Sequence, residues 1–139
     1  MKVLFDSNIH VSDAIFGGAA TRAIKATLQA RWKILVCQTI LVEVHRVIRE
    51  KFKRSGSFAS ATIAMIREIS EIADEPMSRH KVEGDASDSP ILRAAIGAGI
   101  DYLITGDLKI LALKVVEGVQ IITLGEYIRV LEQYGHLGV

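Results

Sequence analysis

Asp6, Glu43, Asp88 and Asp107 are the side chains in this sequence whose types and spacing could do chemistry together. Asp6 follows the apolar run Val3-Leu4-Phe5, and Asp107 follows Leu103-Ile104-Thr105-Gly106. If both runs are parallel strands, the two carboxylates meet at one edge of a sheet, outside the carboxyl ends of the strands where ligands of open parallel sheets collect. Asp88 stands before Ser89 and Pro90, at the start of an expected helix, after an acidic stretch at residues 83–88. Glu43 flanks an apolar helical stripe, one turn after Ile40 and one turn before Val47, so it can reach the same edge. Carboxylates crowded into one pocket repel and raise one another's pKa, so such a cluster persists when a divalent cation neutralises it. Magnesium or manganese fits, because both prefer oxygen ligands and retain water that can attack a phosphodiester.

Each acid alone has a simpler explanation. Asp6 and Asp88 suit helix capping, Asp107 suits a turn after Gly106, and Glu43 suits a surface ion pair with Arg46 at i+3. Their order and their placement after strands favour a shared site. The four histidines lack the i, i+4 spacing of a zinc helix and read as surface residues. Cys37, inside an apolar run, reads as a small buried side chain, and Ser7 lacks the glycine-flanked elbow of a serine hydrolase. Trp32 and Tyr134 read as packing residues before base-stacking ones.

The elements that must position these acids follow from periodicity. Residues 3–5, 34–37, 102–105 and 119–123 read as short buried strands. A helix is expected after Asp6 and others over residues 21–31, 39–54 with Thr39 as N-cap, 58–74 ended by Pro76, and 87–99. A short helix after Asp107 and a last one over residues 124–133 complete the pattern. Short apolar strands alternating with helices imply an α/β/α sandwich around a mainly parallel sheet of four or five strands, with right-handed crossovers.

The chain's 139 residues suit one domain spanning residues 1–139, and 50% hydrophobic with 24% charged residues is the composition of a folded globular protein. One cysteine permits no internal disulfide, and the N-terminus lacks the shape of a signal peptide, so a cytoplasmic protein without a membrane span is expected. Net charge is +1, without the strong positive excess of many nucleic-acid binders, but Arg46, Arg49, Lys51, Lys53 and Arg54 gather in one stretch.

Asp6-Ser7-Asn8, Glu43 on a helix, Asp88 before Ile91-Leu92, and Thr105-Gly106-Asp107 resemble the ordered acidic motifs of PIN-domain nucleases. In particular the chain looks like the PIN proteins that are toxin components of prokaryotic toxin-antitoxin modules, with residues 119–127 resembling their last strand and helix. The resemblance implies a PIN-like sandwich and a magnesium- or manganese-dependent endoribonuclease restrained by a cognate antitoxin. It implies that Asp6, Glu43, Asp88 and Asp107 surround the metal, that Asn8 and Thr105 hold carboxylates or water behind them, and that Asp85 is a weaker extra candidate. A homodimer made by the apolar helices is also expected. Members of this group often carry an aspartate two residues after the Thr-Gly-Asp motif, where Lys109 stands here.

Other functions fit less well. A PIN-like module that binds RNA or protein without cleaving is the main alternative. A receiver-type phosphoacceptor needs an acidic pair after the first strand, which Asp6-Ser7 does not supply. A phosphatase of the haloacid dehalogenase kind needs an aspartate where Asn8 stands.

Overall fold

The computed structural model describes residues 1–76, 86 and 89–137. The elements in chain order are β1 (Lys2–Phe5), α1 (Ser7–Phe16), α2 (Gly18–Gln29), β2 (Lys33–Val36), α3 (Gln38–Glu50), α4 (Gly56–Ile69), β3 (Glu71–Ile72), α5 (Pro90–Gly97), β4 (Tyr102–Ile104), α6 (Leu108–Leu111), β5 (Val115–Val116), β6 (Val119–Ile122) and α7 (Leu124–Gln133). Six strands form one sheet in the order β3-β2-β1-β4-β6-β5. All pairings are parallel except the β5–β6 hairpin at one edge.

Side chains alternate across β1, and this divides the core into two layers. Leu4 joins Leu35, Leu103 and Ile121 under α3 and α5, whereas Val3 and Phe5 join Ile34 and Ile104 under α2 and α7. Central strands covered on both faces must be apolar throughout, which is why they appear in the sequence as continuous runs. The expected α/β/α sandwich with a mainly parallel sheet is therefore present, with six strands instead of four or five.

The two added strands are only two residues long, and β3 lies inside the span expected to be helical. Helix α4 ends at Ile69, because Ser70 adopts extended geometry (φ −127°, ψ 156°) and the next residues pair with Leu35 and Val36. Pro76 does not end this helix. Ile66 of α4 is buried, while Ile72, on an edge strand, is 55% exposed. Helix α3 starts at Gln38 with Cys37 as its N-cap, so Thr39 is not the cap, and it stops at Glu50 before the expected end. Gly17 and Gly18 both take positive φ, at 71° and 58°, which lets the chain reverse sharply from α1 into α2.

His10 is a correction to the surface reading. Ser7, His10 and Val11 share the inward face of α1, and His10 is 1% exposed with its ring edge-on to Phe5. Neither imidazole nitrogen has a hydrogen-bond partner among the described residues. Burial lowers its pKa to about 4. The unfolded chain binds a proton near the ordinary value of ~6.5, so the folded state's advantage is complete above that pH and is lost as pH falls toward 4. The expected contribution to acid sensitivity is about 3 kcal/mol. Urea unfolding between those pH values should show a shallower pH slope in His10→Leu than in the native chain. Equal slopes would remove His10 as the cause.

Trp32 packs edge-on against Tyr127, Tyr134 and His136, in keeping with its expected packing role. Cys37 is fully buried, and that burial, with Glu75 beside it, pushes the thiol up to about 12. No helix among the described residues is long and apolar enough to cross a membrane.

Candidate active site at the carboxyl edge of the sheet

The parallel register of β1 and β4 pairs Phe5 with Ile104, so the next residues, Asp6 and Thr105, leave the sheet side by side. The Asp6 N–H donates to the Ile104 carbonyl at 2.8 Å, and the Thr105 N–H donates to the Ile122 carbonyl at 3.0 Å, fixing both strand ends. Asp6 is nearly buried, at 7% exposure. Its Oδ2 accepts the Thr105 hydroxyl proton at 2.6 Å and its Oδ1 accepts the Ser7 N–H at 2.7 Å. The Thr105 hydroxyl in turn accepts the Asp107 N–H at 3.0 Å. One buried hydroxyl thus ties Asp6 to the backbone of Asp107.

Asp107 is exposed and caps α6, its Oδ1 accepting the Lys109 and Ile110 N–H groups at 2.9 and 3.3 Å. Asp6 stands at the N-cap of α1, its side chain accepting the N–H of Ser7 alone in that helix. The capping roles are therefore real, and they hold each carboxylate while one oxygen of Asp107 takes no hydrogen bond from the described residues. Neither aspartate has a cationic partner within 4 Å among the described residues.

Asn8 lies over the turn between β4 and α6. A Cβ placed on Gly106 would come within 2.5 Å of Asn8 Nδ2, so glycine is needed here for close approach. Gly106→Ala is expected to fold with little loss of stability, since the far end of the Asn8 side chain can move aside, but to displace that amide and lower roughly tenfold the rate of whatever reaction the site carries out. Thermal unfolding and initial rates measured on the same preparation check this; an unchanged rate would show that Asn8 need not lie there.

Glu43 is about half buried and forms an i, i+3 ion pair with Arg46 at 3.8 Å, as its surface reading expects. It also lines a hollow together with Ser7 and Asn8, so it faces the edge that carries Asp6. Among the described residues no group of three or more Asp, Glu, His and Cys side chains closes on one point. Asp88 and Asp85, with the rest of the acidic stretch, lie outside the described residues, and Ser89 is the N-cap of α5.

Glu75 was not anticipated. Its two carboxylate oxygens accept the Thr39 N–H at 2.6 Å and the Thr39 hydroxyl at 2.8 Å, anchoring the first turn of α3, one turn before Glu43. Burial raises its pKa, but the Thr39 donors, the Cys37 thiol and the charge of Arg93 outweigh this and hold it below the ordinary carboxylate range. Sequence offers one signal for it: an acid following the apolar pair Ile72-Ala73, which the structure shows to extend a strand.

A family model described as PIN domain matches residues 2–109. The match includes the positions of Asp6, Asn8, Glu43, Asp88, Thr105 and Asp107 and stops before β5, β6 and α7. No curated protein matches the chain.

Proposed function

This chain belongs to the PIN-domain family, whose members are generally nucleases, and on that premise we propose that it is a magnesium- or manganese-dependent endoribonuclease. The observation that supports this most is the linkage of Asp6 and Asp107 through Thr105 at the carboxyl edge of the sheet. The donor set fits a hard divalent ion. Magnesium is commonly held by one or two carboxylates together with water and substrate phosphates, and the two aspartates offer oxygen ligands without a competing cationic partner among the described residues. Asp6 and Asp107 would hold the ion, with Glu43 and Asp88 completing the acidic set. When bound, it would polarise a phosphate oxygen and make water a nucleophile at neutral pH.

The chain's own groups orient and hold. Thr105 fixes one Asp6 oxygen, leaving the carboxylate in a single orientation. Asn8, held over Gly106, offers amide N–H donors to a phosphate oxygen or to water. Placement of these groups on strand ends and helix caps favours precise positioning over loop motion.

Beyond cleavage, the proposed setting is the toxin of a toxin-antitoxin module in the cytoplasm, restrained by a small antitoxin protein, with homodimerisation through apolar helices. Both partners are assigned by family resemblance. The test of the central reading is cleavage of single-stranded and structured RNA with magnesium, manganese or chelator. Cleavage that stops with chelator and returns with added metal is the expected result, whereas cleavage indifferent to chelator would overturn the metal assignment.

A further inference from the structure

The hollow beside Asn8 and Glu43 continues away from the carboxylates, between the carboxyl-terminal ends of α1 and α3. Its volume is about 270 Å³, and its far wall is formed by Phe16, Lys51 and Phe52. Phe16 is 72% exposed, an unusual position for so large an apolar ring. It is nevertheless held: the Phe52 ring stands 5.7 Å away at 79° to it. The Lys51 ammonium lies 5.5 Å from the centre of the Phe52 ring. A flat apolar ring held on the wall of a hollow, with a cation in the same wall, is the arrangement that receives an unpaired base and its phosphate.

Charge around the hollow agrees with that occupant. Between Glu43 and Arg54 the chain carries five Lys and Arg residues against two acids. Arg46 is engaged by Glu43 and Glu50, leaving the excess positive charge toward the Lys51 end. The hollow is smaller than the roughly 300–1,000 Å³ of pockets that enclose drug-sized ligands, so one ring fills it.

We propose that this hollow is a base-binding subsite for single-stranded RNA, in which Phe16 stacks on an unpaired base next to the scissile phosphate and Lys51 contacts the backbone. This rests on the nuclease reading and adds to it two residues outside the acidic site, Phe16 and Lys51, that would select RNA with a base free to splay out. A duplex, with its bases paired, cannot present a ring to Phe16.

The test is binding of a labelled single-stranded RNA oligonucleotide and of its duplex by fluorescence anisotropy, in chelator so that no cleavage occurs. Native chain, Phe16→Ala, Phe16→Trp and Lys51→Ala are compared. Because Phe16 is exposed, its replacement leaves the fold intact, which thermal unfolding verifies. The expected result is that Phe16→Ala binds the single strand roughly tenfold more weakly, the scale of one lost stack, that Phe16→Trp restores affinity, and that duplex affinity does not change. Lys51→Ala should lower the slope of log affinity against log salt by about 0.7. Native affinity in Phe16→Ala overturns the subsite, as does an equal fall for single strand and duplex. A Phe16→Ala variant with native RNA affinity but altered self-association would reassign the face to protein contact. Phe16-dependent binding by a chain that cleaves nothing sustains the subsite and removes the nuclease reading; cleavage and binding both indifferent to Phe16 do the reverse.

Discussion

Asp6→Asn is expected to lower RNA cleavage on the order of a thousandfold, the scale seen when one preorganised electrostatic group is removed from an active site. The substitution removes a negative charge and leaves the shape. Asn can still present its carbonyl oxygen to the Ser7 N–H, which Asp6 accepts at 2.7 Å, so the start of α1 keeps its cap. What is lost is the charged acceptor of the Thr105 hydroxyl and the carboxylate that would hold the metal. The cost in stability should be only about 1 kcal/mol, the size of one exchanged hydrogen bond. Steady-state cleavage beside a denaturation curve separates the two effects. Asp107→Asn should follow the same pattern, and Glu43→Gln should cost less, because Glu43 is more exposed and already paired with Arg46. A folded Asp6→Asn chain that cleaves at the native rate would remove Asp6 from the site. If the native chain is inert with every ion, a PIN-like module that binds RNA or protein without cutting becomes the better account.

How far the sequence could be read depended on how much physics each residue's neighbours in the chain supply. Strands β1, β2 and β4 announce themselves because burial on both faces forces three consecutive apolar residues, while β6 keeps buried Val119 and Ile121 on either side of an exposed Gln120. Asp6 and Asp107 are legible for the same reason, since each follows such a run at the end where parallel strands present ligands. Strands β3 and β5 have two residues each, too few for any period to show; β3 exists through β2, distant in the chain, and β5 only as the short arm of a hairpin with β6. Glu75 is hidden in the sequence as a consequence: without β3, nothing marks it as an acid beyond a strand. Local sequence makes the Thr39 hydroxyl a helix cap, but a tertiary partner, Glu75, claims it. His10 could have been found by counting one turn from Ser7 along the inward face of α1, yet a histidine's usual preference for water argued against that placement.

Thr105→Val carries the second large expectation, because it tests the bridge without touching any acid. Valine matches threonine in shape, and at 1% exposure it should fit the same space. The missing hydroxyl, however, had two partners: it donates to Asp6 Oδ2 and accepts the Asp107 N–H. Removing it strips a charged acceptor of its donor and leaves a backbone donor unsatisfied, which should cost about 1–3 kcal/mol of stability. Both carboxylates are still present, so a site that needed only their charge would keep its activity. A site that needs them held in place should lose roughly 10–100-fold in cleavage and require more metal for half-maximal rate, as when a group supporting a metal ligand is deleted. Thr105→Ser, which restores the hydroxyl and omits only the methyl, should recover most of both properties. Rates measured far below the unfolding temperature of each variant keep stability out of the comparison. Native cleavage and native metal dependence in Thr105→Val would mean that Asp6 and Asp107 are fixed by their helix caps alone, and that the hydroxyl between them serves only the fold.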